Sequence, residues 1–423
     1  MSTCWPTRTL GNLCGKPQYG FTASASSEPI GPRLLRITDL QDGTLDWNSV
    51  PFCECPNEEK GKYSLNSGDI VVARIGATTG RTSLILDPPD AVFASYLIRL
   101  RAGDELNPFF LFYFTQSQSY KTWIDGNKDN NLKGGVSASI LTQIKVPLPL
   151  KDEQDKIAAI LWRVQRTIET EEKLIVTARE LKQSAMRQLF TCGLHGETQK
   201  DTDIGPIPES WDAVPLETLA RIGNGSTPLK RNLEYWVNGS IPWLTSAKVY
   251  DVTVTKADQF VTPKAVKECH LPRVKPGSVL MAITGQGKTL GNAAVTDIET
   301  CVSQHIAYMQ FYDESANPHF IRLFLETRYE ELRAIAQGGG STKGALTCGF
   351  LKSYCVPLPR GSEKDRSEQD EVVRILMAIE EKIRIHLRKA ETLQELFRTL
   401  LHQLMTGEIR VADLDIDVSE VTQ

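Results

Sequence analysis

The sequence lacks the features that several classes of protein require. No run of about 18 apolar residues occurs, and the opening MSTCWPTRTLGNLC has no apolar core of a signal peptide. The nine cysteines are scattered, with Cys53 and Cys55 as the only close pair and no CxxC, so we expect neither a disulfide framework nor a zinc site. These absences predict a cytoplasmic protein with no membrane partner.

An excess of positive charge is also missing. The 423 residues carry a formal net charge of −4, so the chain as a whole gives no electrostatic signal for nucleic acid. A local basic surface is enough for such binding, so nucleic acid is not excluded. The length leaves room for two to four domains, and 41% apolar content supplies ordinary cores.

One block of sequence occurs twice. Pro-Leu-Pro at residues 147–149 and 357–359 precedes Glu-Gln-Asp at 153–155 and 368–370, and each copy continues as a long helical pattern without Gly or Pro. Apolar residues then recur every three or four positions, as in the seam of a coiled coil or bundle. Two helices of equal length, each with an apolar stripe, most simply pack against each other in antiparallel orientation.

The segments before the two helices correspond as well. Gly68–Gly76 matches Gly277–Gly285, and Val92–Tyr96 matches Cys301–His305, both at an offset of 209 residues. Short apolar runs separated by Gly and Pro predict strands in these segments, and Pro108–Tyr120 is predicted to be a helix.

We therefore predict an α+β protein in which two mixed, β-rich domains are separated by two long antiparallel coiled-coil helices, with an internal pseudo-twofold repeat. The predicted segments are a first domain at 1–150, a helix at 151–195, a second domain with its entry linker at 196–365, a second helix at 366–409 and a flexible acidic tail at 410–423.

No motif makes a convincing active site. The segment 282–289, AITGQGKT, resembles a phosphate-binding loop with alanine in place of the first glycine, but the residues that follow predict a turn and a strand rather than the required helix. A polar hairpin loop that offers side chains to an anion or a base edge fits better. His305 has no Ser or Asp constellation around it, and we interpret it as a satisfied or ligand-contacting polar residue.

A glycine-bearing loop lies just before each of the two Pro-Leu-Pro segments. Asn130–Gly135 and Gly338–Gly344 are both polar, rich in glycine and carry one lysine, so a phosphate could approach their backbone. An ordinary exposed loop explains the same composition equally well.

Taken together, these motifs resemble the specificity subunit of type I restriction–modification enzymes. The resemblance covers essentially the whole chain and includes Gln-Leu-Phe-Thr191 and Gln-Leu-Met-Thr406 near the helix ends. Further signals are Ile204–Trp211, Asn224–Pro228 and Gly339–Lys343. One departure is that the first half lacks a Gly-x-Ile-Pro entry and begins near Trp5.

The resemblance implies two target-recognition domains that each recognise half of a split sequence in double-stranded DNA, with the helices acting as a spacer between them. It implies that two modification (methyltransferase) subunits and restriction subunits assemble on a chain that is not itself catalytic. S-adenosylmethionine, ATP and Mg would belong to those partners, and no cofactor is expected in this chain.

Base edges in the major groove are recognised by side chains, whereas Lys and Arg contacts to phosphate fix the register. Loop residues at matching places of the two halves are therefore our candidate DNA contacts, namely Arg74, Thr78, Thr79, Arg81 and Lys133 in the first half, and Trp243, Lys248, Gln286, Lys288, Thr289, Ser341, Thr342 and Lys343 in the second. Two alternatives stay open: a coiled-coil scaffold whose domains bind protein partners, and a nucleotide-using enzyme built on Gln286–Thr289.

Overall fold

A computed structural model describes residues 5–40, 45–128, 135–285, 287–338, 345–359 and 363–422, with side chains from residue 366 in the last range. Contacts divide the chain into two compact units. Unit 1 consists of Met1–Leu174 together with His386–Gln423, and unit 2 of Ile175–Ile385. Each unit thus holds one of the two predicted domains and part of both long helices.

Unit 1 holds short strands and helices that end in the first long helix. They are β1 (Thr7–Thr9), α1 (Leu10–Leu13), β2 (Gln18–Tyr19), β3 (Arg33–Leu35), α2 (Asn57–Tyr63), β4 (Ile70–Ala73), β5 (Thr82–Leu84), β6 (Ala91–Phe93), β7 (Leu97–Leu100), α3 (Pro108–Gln116), α4 (Gln118–Gly126), α5 (Ala138–Leu141), β8 (Lys145–Pro147) and α6 (Lys151–Cys192).

The central sheet of unit 1 is antiparallel, in the order β2-β7-β4-β5, while β3 pairs with β6 in parallel and β1 with β8 antiparallel. Residues 91–100 form two strands, β6 and β7, which are separated by Ala94 and a turn at Ser95 and Tyr96. The predicted helix at 108–120 is likewise broken at Ser117, whose hydroxyl accepts a hydrogen bond from the backbone N–H of Tyr120 and begins a new helix.

Unit 2 has a similar order of elements. They are β9 (Gln199–Thr202), β10 (Gly205–Pro208), β11 (Trp211–Pro215), α7 (Leu216–Leu219), β12 (Ala220–Asn224), β13 (Ile241–Leu244), β14 (Thr253–Val254), β15 (Gln259–Val261), α8 (Pro263–Glu268), β16 (Ser278–Ala282), β17 (Ala293–Thr296), β18 (Cys301–Val302), β19 (Ile306–Phe311), α9 (Pro318–Thr327), α10 (Tyr329–Gly338), α11 (Cys348–Ser353), β20 (Cys355–Pro359) and α12 (Glu363–Thr406). Four of these strands, β9, β10, β14 and β15, are additional to those of unit 1.

Its main sheet has the order β12-β19-β16-β17-β14. The strands β12, β19, β16 and β17 pair antiparallel, as β2, β7, β4 and β5 do in unit 1. β13 pairs in parallel with β18, as β3 does with β6. The predicted α+β class is therefore confirmed. None of the described helices combines the length and the apolar composition needed to cross a membrane.

The long helices span 42 and 44 residues, and both units draw core residues from each of them. In unit 1, Ile157 and Leu161 of α6 are buried together with Leu404 of α12. In unit 2, Phe190 of α6 is buried together with Leu376 of α12. The helices are thus part of the domain cores, which is why the compact units divide within the helices rather than at their ends.

The duplicated Glu-Gln-Asp holds each long helix to its domain. In unit 1 the amide of Gln154, which is fully buried, accepts a hydrogen bond from the N–H of Asn107 at 2.9 Å and donates to the carbonyls of Glu105 and Pro149, both at 3.0 Å. The Asn107 side chain donates to Asp155 at 2.7 Å and accepts from a backbone N–H in the first turn of α3. We call this group the junction clamp.

Unit 2 has the same junction clamp. Gln369 accepts from the N–H of Asn317 at 2.7 Å and donates to the carbonyl of Ser315 at 2.9 Å, while Asn317 donates to Asp370 at 2.6 Å. The doubled Glu-Gln-Asp, which is the most specific signal in the sequence, therefore has a structural role. Its hydrogen bonds fix where each long helix leaves its domain.

The tail after α12 differs from the flexible segment that the sequence predicts. Val411 and Val421 are buried, and Arg410 binds Glu153 through two hydrogen bonds of 2.6 and 2.8 Å. Glu153 is only 2% exposed and also accepts from the indole of Trp5, and the guanidinium of Arg410 holds the pKa of this carboxyl below its ordinary value. The acidic composition suggested a solvated tail, but its few apolar residues find a core in unit 1.

Replacing Gln154 with leucine should destabilise unit 1, because the N–H of Asn107 and two carbonyls would be buried without partners. We expect the free energy of local opening to fall by about 2–4 kcal/mol. Hydrogen–deuterium exchange of peptides from α3 and from the start of α6 measures this change.

Gln143→Leu is the matched control, since Gln143 is an exposed glutamine of the same unit and should change the opening free energy by less than about 0.5 kcal/mol. If the peptides of α3 and α6 exchange hydrogen for deuterium equally in the two variants, the proposed role of the junction clamp is contradicted.

Candidate nucleic-acid interface

Most of the described candidate residues lie in two hairpin loops at matching places of the two units. Residues 74–81 join β4 to β5, and residues 283–292 join β16 to β17. Each loop is closed by a glycine with positive φ, Gly80 (87°) or Gly291 (90°), whose N–H donates to the carbonyl of the last residue of the preceding strand at 2.8 and 2.9 Å. The second loop is two residues longer.

The segment that resembles a phosphate-binding loop belongs to the second hairpin. Strand β17 begins at Ala293, directly after the loop, and no helix begins at Lys288 or Thr289. The backbone N–H groups of a helix N-terminus, which a phosphate loop requires, are therefore missing at this point of the described chain. The polar hairpin loop predicted from the sequence is what the structure contains.

In the first loop the candidate side chains have different surroundings. Arg74 is half-buried, with its guanidinium 4.7 Å from the centre of the Tyr19 ring. Thr78 is half-buried, and the hydroxyl of Thr79 is turned inward, where it donates to the carbonyl of Gly76 at 2.8 Å. Arg81 is exposed and donates to the carbonyl of Leu40 at 3.1 Å. Thr79 therefore stabilises the turn, while Arg74 and Arg81 present cationic groups.

In the second loop Lys288 is exposed, while its carbonyl accepts from the hydroxyl of Tyr329 at 2.6 Å and from the amide of Asn292 at 2.7 Å. The hydroxyl of Thr289 lies 3.1 Å from that of Tyr250. The backbone of the loop is thus anchored. Within the described part of unit 2, no acidic group pairs with the ammonium of Lys288.

Two candidates are corrected by the structure. Trp243 is 2% exposed, its indole N–H donates to the carbonyl of Ser226 at 3.1 Å, and its ring packs edge-on against Trp236. Lys248 forms ion pairs with Asp251 at 2.9 Å and Asp258 at 3.1 Å, which raise the pKa of its ammonium. Trp243 is a core residue, and the charge of Lys248 is already compensated.

Five candidates, Lys133, Gln286, Ser341, Thr342 and Lys343, lie outside the described residues. The chain that follows the two glycine-rich loops is described, and it pairs with the hairpins in the same way in both units. The N–H of Val136 donates to the carbonyl of Arg74, and that of Leu346 to the carbonyl of Ile283, both at 2.8 Å. Val136 and Leu346 therefore lie beside the hairpin loops.

Four side chains that the structure places near these loops are not among the candidate DNA contacts: Tyr19, Tyr96, Asn224 and His305. The carbonyl of Tyr96 accepts from the N–H of Arg74, and that of His305 from the N–H of Ile283, both at 3.0 Å. Tyr19 and Asn224 end the matching strands β2 and β12, each followed by a glycine. The paired glycines Gly20 and Gly225 were the sequence signal that could have located this place.

Unit 2 also contains a cleft of about 680 Å³ where α6 and α12 approach the domain. Two of its cations are compensated: Lys182 lies 2.6 Å and Arg322 2.9 Å from the carboxylate of Glu380, and both also bind Glu326. Such a mixed ion network offers little net attraction to a phosphate backbone. The hairpin loops are the better candidate interface.

Residues 48–179 and 208–395 match the family of type I restriction modification DNA specificity domains. The chain is 25% identical over 419 residues to a protein named as the MjaX specificity subunit of a type I restriction enzyme, from Methanocaldococcus jannaschii, covering 96% of this chain and 94% of that relative. The MjaVIII specificity subunit of the same organism is 24% identical over 393 residues, covering 89% and 85%.

Solved structures show the same fold. The S subunit of a type I restriction–modification system from M. genitalium aligns with a TM-score of 0.64 at 16% identity, over 96% of this chain and 97% of that one. A chain from a study of complex assembly in the type I system aligns with a TM-score of 0.55 at 18% identity, over 97% and 99%. With two matched domains on the fold of these structures, the chain belongs to the type I restriction–modification DNA specificity family and is a specificity subunit.

Proposed function

We propose that this chain recognises a DNA target of two parts, with the hairpin loops of each unit contacting one half, and that it performs no catalysis itself. The observation that carries the proposal is a common backbone with different side chains. The loop hydrogen bonds of Arg74 and Ile283 are the same, yet one position is a cation and the other an apolar residue. Two copies of one scaffold that present different groups suit two different half-targets.

We further propose that the two units are related by a pseudo-twofold repeat and that α6 and α12 form an antiparallel coiled coil, which sets the length of the unread spacer between the half-targets. The matching strand orders and the two junction clamps support the repeat. Contacts within unit 2 support antiparallel helices, since Lys182 binds Glu380 while Leu194, further along the chain, approaches the earlier Glu368.

One exposed face of each long helix is evidence for a partner protein that binds this chain at two places. At an offset of 215 residues, four exposed positions keep the same or nearly the same side chain: Thr177 and Thr392, Glu180 and Glu395, Leu181 and Leu396, Ser184 and Thr399. Their spacing of three and four residues places each set on a single helix face. We call these sets the matched faces.

Packing inside the chain does not explain why the matched faces agree. The buried Lys182 corresponds to Phe397, so a core position between them has changed completely. Leu181 and Leu396 are 56% and 45% exposed, and no described cation lies within ion-pair distance of Glu180 or Glu395. A partner with an apolar pocket beside a cationic group would complement both faces.

We assign the matched faces to two copies of the modification subunit. In this proposal the chain works in the cytoplasm, restriction subunits join the assembly, and the partners supply S-adenosylmethionine, ATP and Mg, so this chain needs no cofactor. Its own contribution is to hold two modification subunits at fixed positions relative to the bases that each unit contacts.

Methylation mapping tests the function directly. DNA from cells that carry this chain with its modification subunit should contain a two-part methylated motif with an unread gap of constant length, and deletion of this chain alone should abolish it. If methylation persists unchanged with an active modification subunit, the specificity role fails and a protein-binding scaffold becomes the better explanation.

The exposed Lys288 is expected to contact phosphate. Lys288→Met in the assembled complex should weaken binding to all DNA sequences similarly and reduce the slope of log K against log salt by about 0.9, the contribution of one phosphate contact. Lys248→Met is the control, because its ammonium is already paired. Equal slopes for the two variants would show that Lys288 makes no such contact.

The matched faces are tested by stoichiometry. Leu181→Glu or Leu396→Glu should each leave one modification subunit per chain in native mass spectrometry, and the double variant should retain none, because a carboxylate cannot enter an apolar pocket without a partner. Val176→Glu is the control: Val176 is exposed on α6, and the matching residue of α12 is already Glu391. Two bound copies in the double variant would refute the assignment.

A further inference from the structure

We infer that Tyr96 and His305 determine the base preference of the two half-targets, one in each unit. The inference rests on the proposed function and adds the residues that carry its specificity. Neither side chain is among the candidate DNA contacts derived from the sequence, although the sequence already indicated that His305 is a satisfied or ligand-contacting polar residue.

The two residues occupy the same place on the same backbone. Each precedes the strand that pairs with the start of the hairpin, β7 or β19, and each accepts a hydrogen bond at 3.0 Å from the first residue of the hairpin loop. The backbone beside them is fixed by Gly20 and Gly225, because a Cβ at either glycine would collide with the carbonyl of Ala94 or Val302. Their side chains therefore start from equivalent, well-defined positions.

Both side chains are available to a ligand. Tyr96 is 53% exposed, and no described group forms a hydrogen bond with its hydroxyl. His305 is exposed, and its Nδ1 is within 2.5 Å of the hydroxyl of Thr284, so Nε2 is the nitrogen left for another partner. A phenol can donate and accept, and the free imidazole nitrogen can do either according to its tautomer. Base edges are distinguished by such donors and acceptors.

The neighbours of the two residues also differ between the units. Beside Tyr96, the guanidinium of Arg74 lies over the ring of Tyr19, and its buried Nε has no partner among the described residues. Beside His305, the position of Arg74 is taken by the buried Ile283 and that of Tyr19 by the exposed Asn224. The neighbours of Tyr96 are thus a cation and an aromatic ring, whereas those of His305 are an apolar residue and an amide.

This difference favours the two residues as determinants of specificity over three of the candidates derived from the sequence. A residue that selects a base has to be exposed, fixed in position and different in two domains that recognise different sequences. Thr79 is turned into its own loop, Trp243 is buried and Lys248 is paired within its unit. Tyr96 and His305 are exposed, differ between the two units and start from backbone positions held by the same hydrogen bond.

An exchange of the two residues tests the inference. Tyr96→His and His305→Tyr are made singly in the complete chain, expressed with the modification subunit, and the methylated motif is determined by sequencing. Each variant should change the base preference at one position of one half-target by on the order of tenfold, the size of a lost base contact. The other half-target and the gap should stay as in the wild type.

Tyr312→His is the matched control. Tyr312 is 65% exposed and follows the far end of β19, about 20 Å from His305 along the strand, so its replacement should leave both half-targets unchanged. Tyr96→Phe and His305→Gln, which preserve size and alter only the polar group, give a second pair of variants if an exchange variant fails to assemble.

Unchanged base preferences in all assembled variants at positions 96 and 305 would overturn the inference while the wild-type motif still supports the proposed function. A wild-type complex that methylates no two-part motif would instead refute the proposed function. A preference altered in both half-targets by a single change would also contradict the assignment of one residue to each unit.

Discussion

The arrangement of each unit depends on one buried amide. The side chains of Gln154 and Gln369 each accept a hydrogen bond from the backbone N–H that precedes a domain helix, and each donates to a carbonyl of the same loop. The first turn of a long helix and the last helices of a domain are therefore fixed together. A buried amide with unmet hydrogen bonds is costly, so the geometry has few alternatives. The loops that present Arg74 and Lys288 belong to domains whose attachment to the helices is set by these contacts.

The rest of each junction is built with different chemistry in the two units. In unit 1, Phe397 of the second long helix packs edge-on against Tyr113, with ring centres 6.0 Å apart. In unit 2, the matching helix position is Lys182, which belongs to an ion network with Glu380 and Arg322. An aromatic contact is insensitive to ionic strength, whereas charged contacts are screened in proportion to their exposure. The two domains thus share an attachment point but differ in how solution conditions act on it.

The sequence predicted the organisation of the chain better than its site. Doubled Pro-Leu-Pro and Glu-Gln-Asp blocks located both long helices to within a few residues, because periodic apolar spacing and a repeated end signal are local properties. Thr79 is turned inward by the carbonyl of Gly76, a local contact that the composition of the loop does not reveal. The positions of Trp243 and Lys248 depend on residues further away, because the indole of Trp243 donates to the carbonyl of Ser226 and Lys248 pairs with Asp258 as well as with Asp251. The packed tail was missed for the same reason, since Arg410 owes its position to Glu153, far away in the sequence.

That tail has a consequence for the synthesis of the protein. Unit 1 is assembled from the earliest residues and from residues 386–422, whereas unit 2 is continuous from 175 to 385. During translation, unit 2 can complete its core while unit 1 still lacks Leu404, Val411 and Val421. The first domain to leave the ribosome is therefore the last to be finished, and until then it exposes the apolar surface that the final helix and tail will cover.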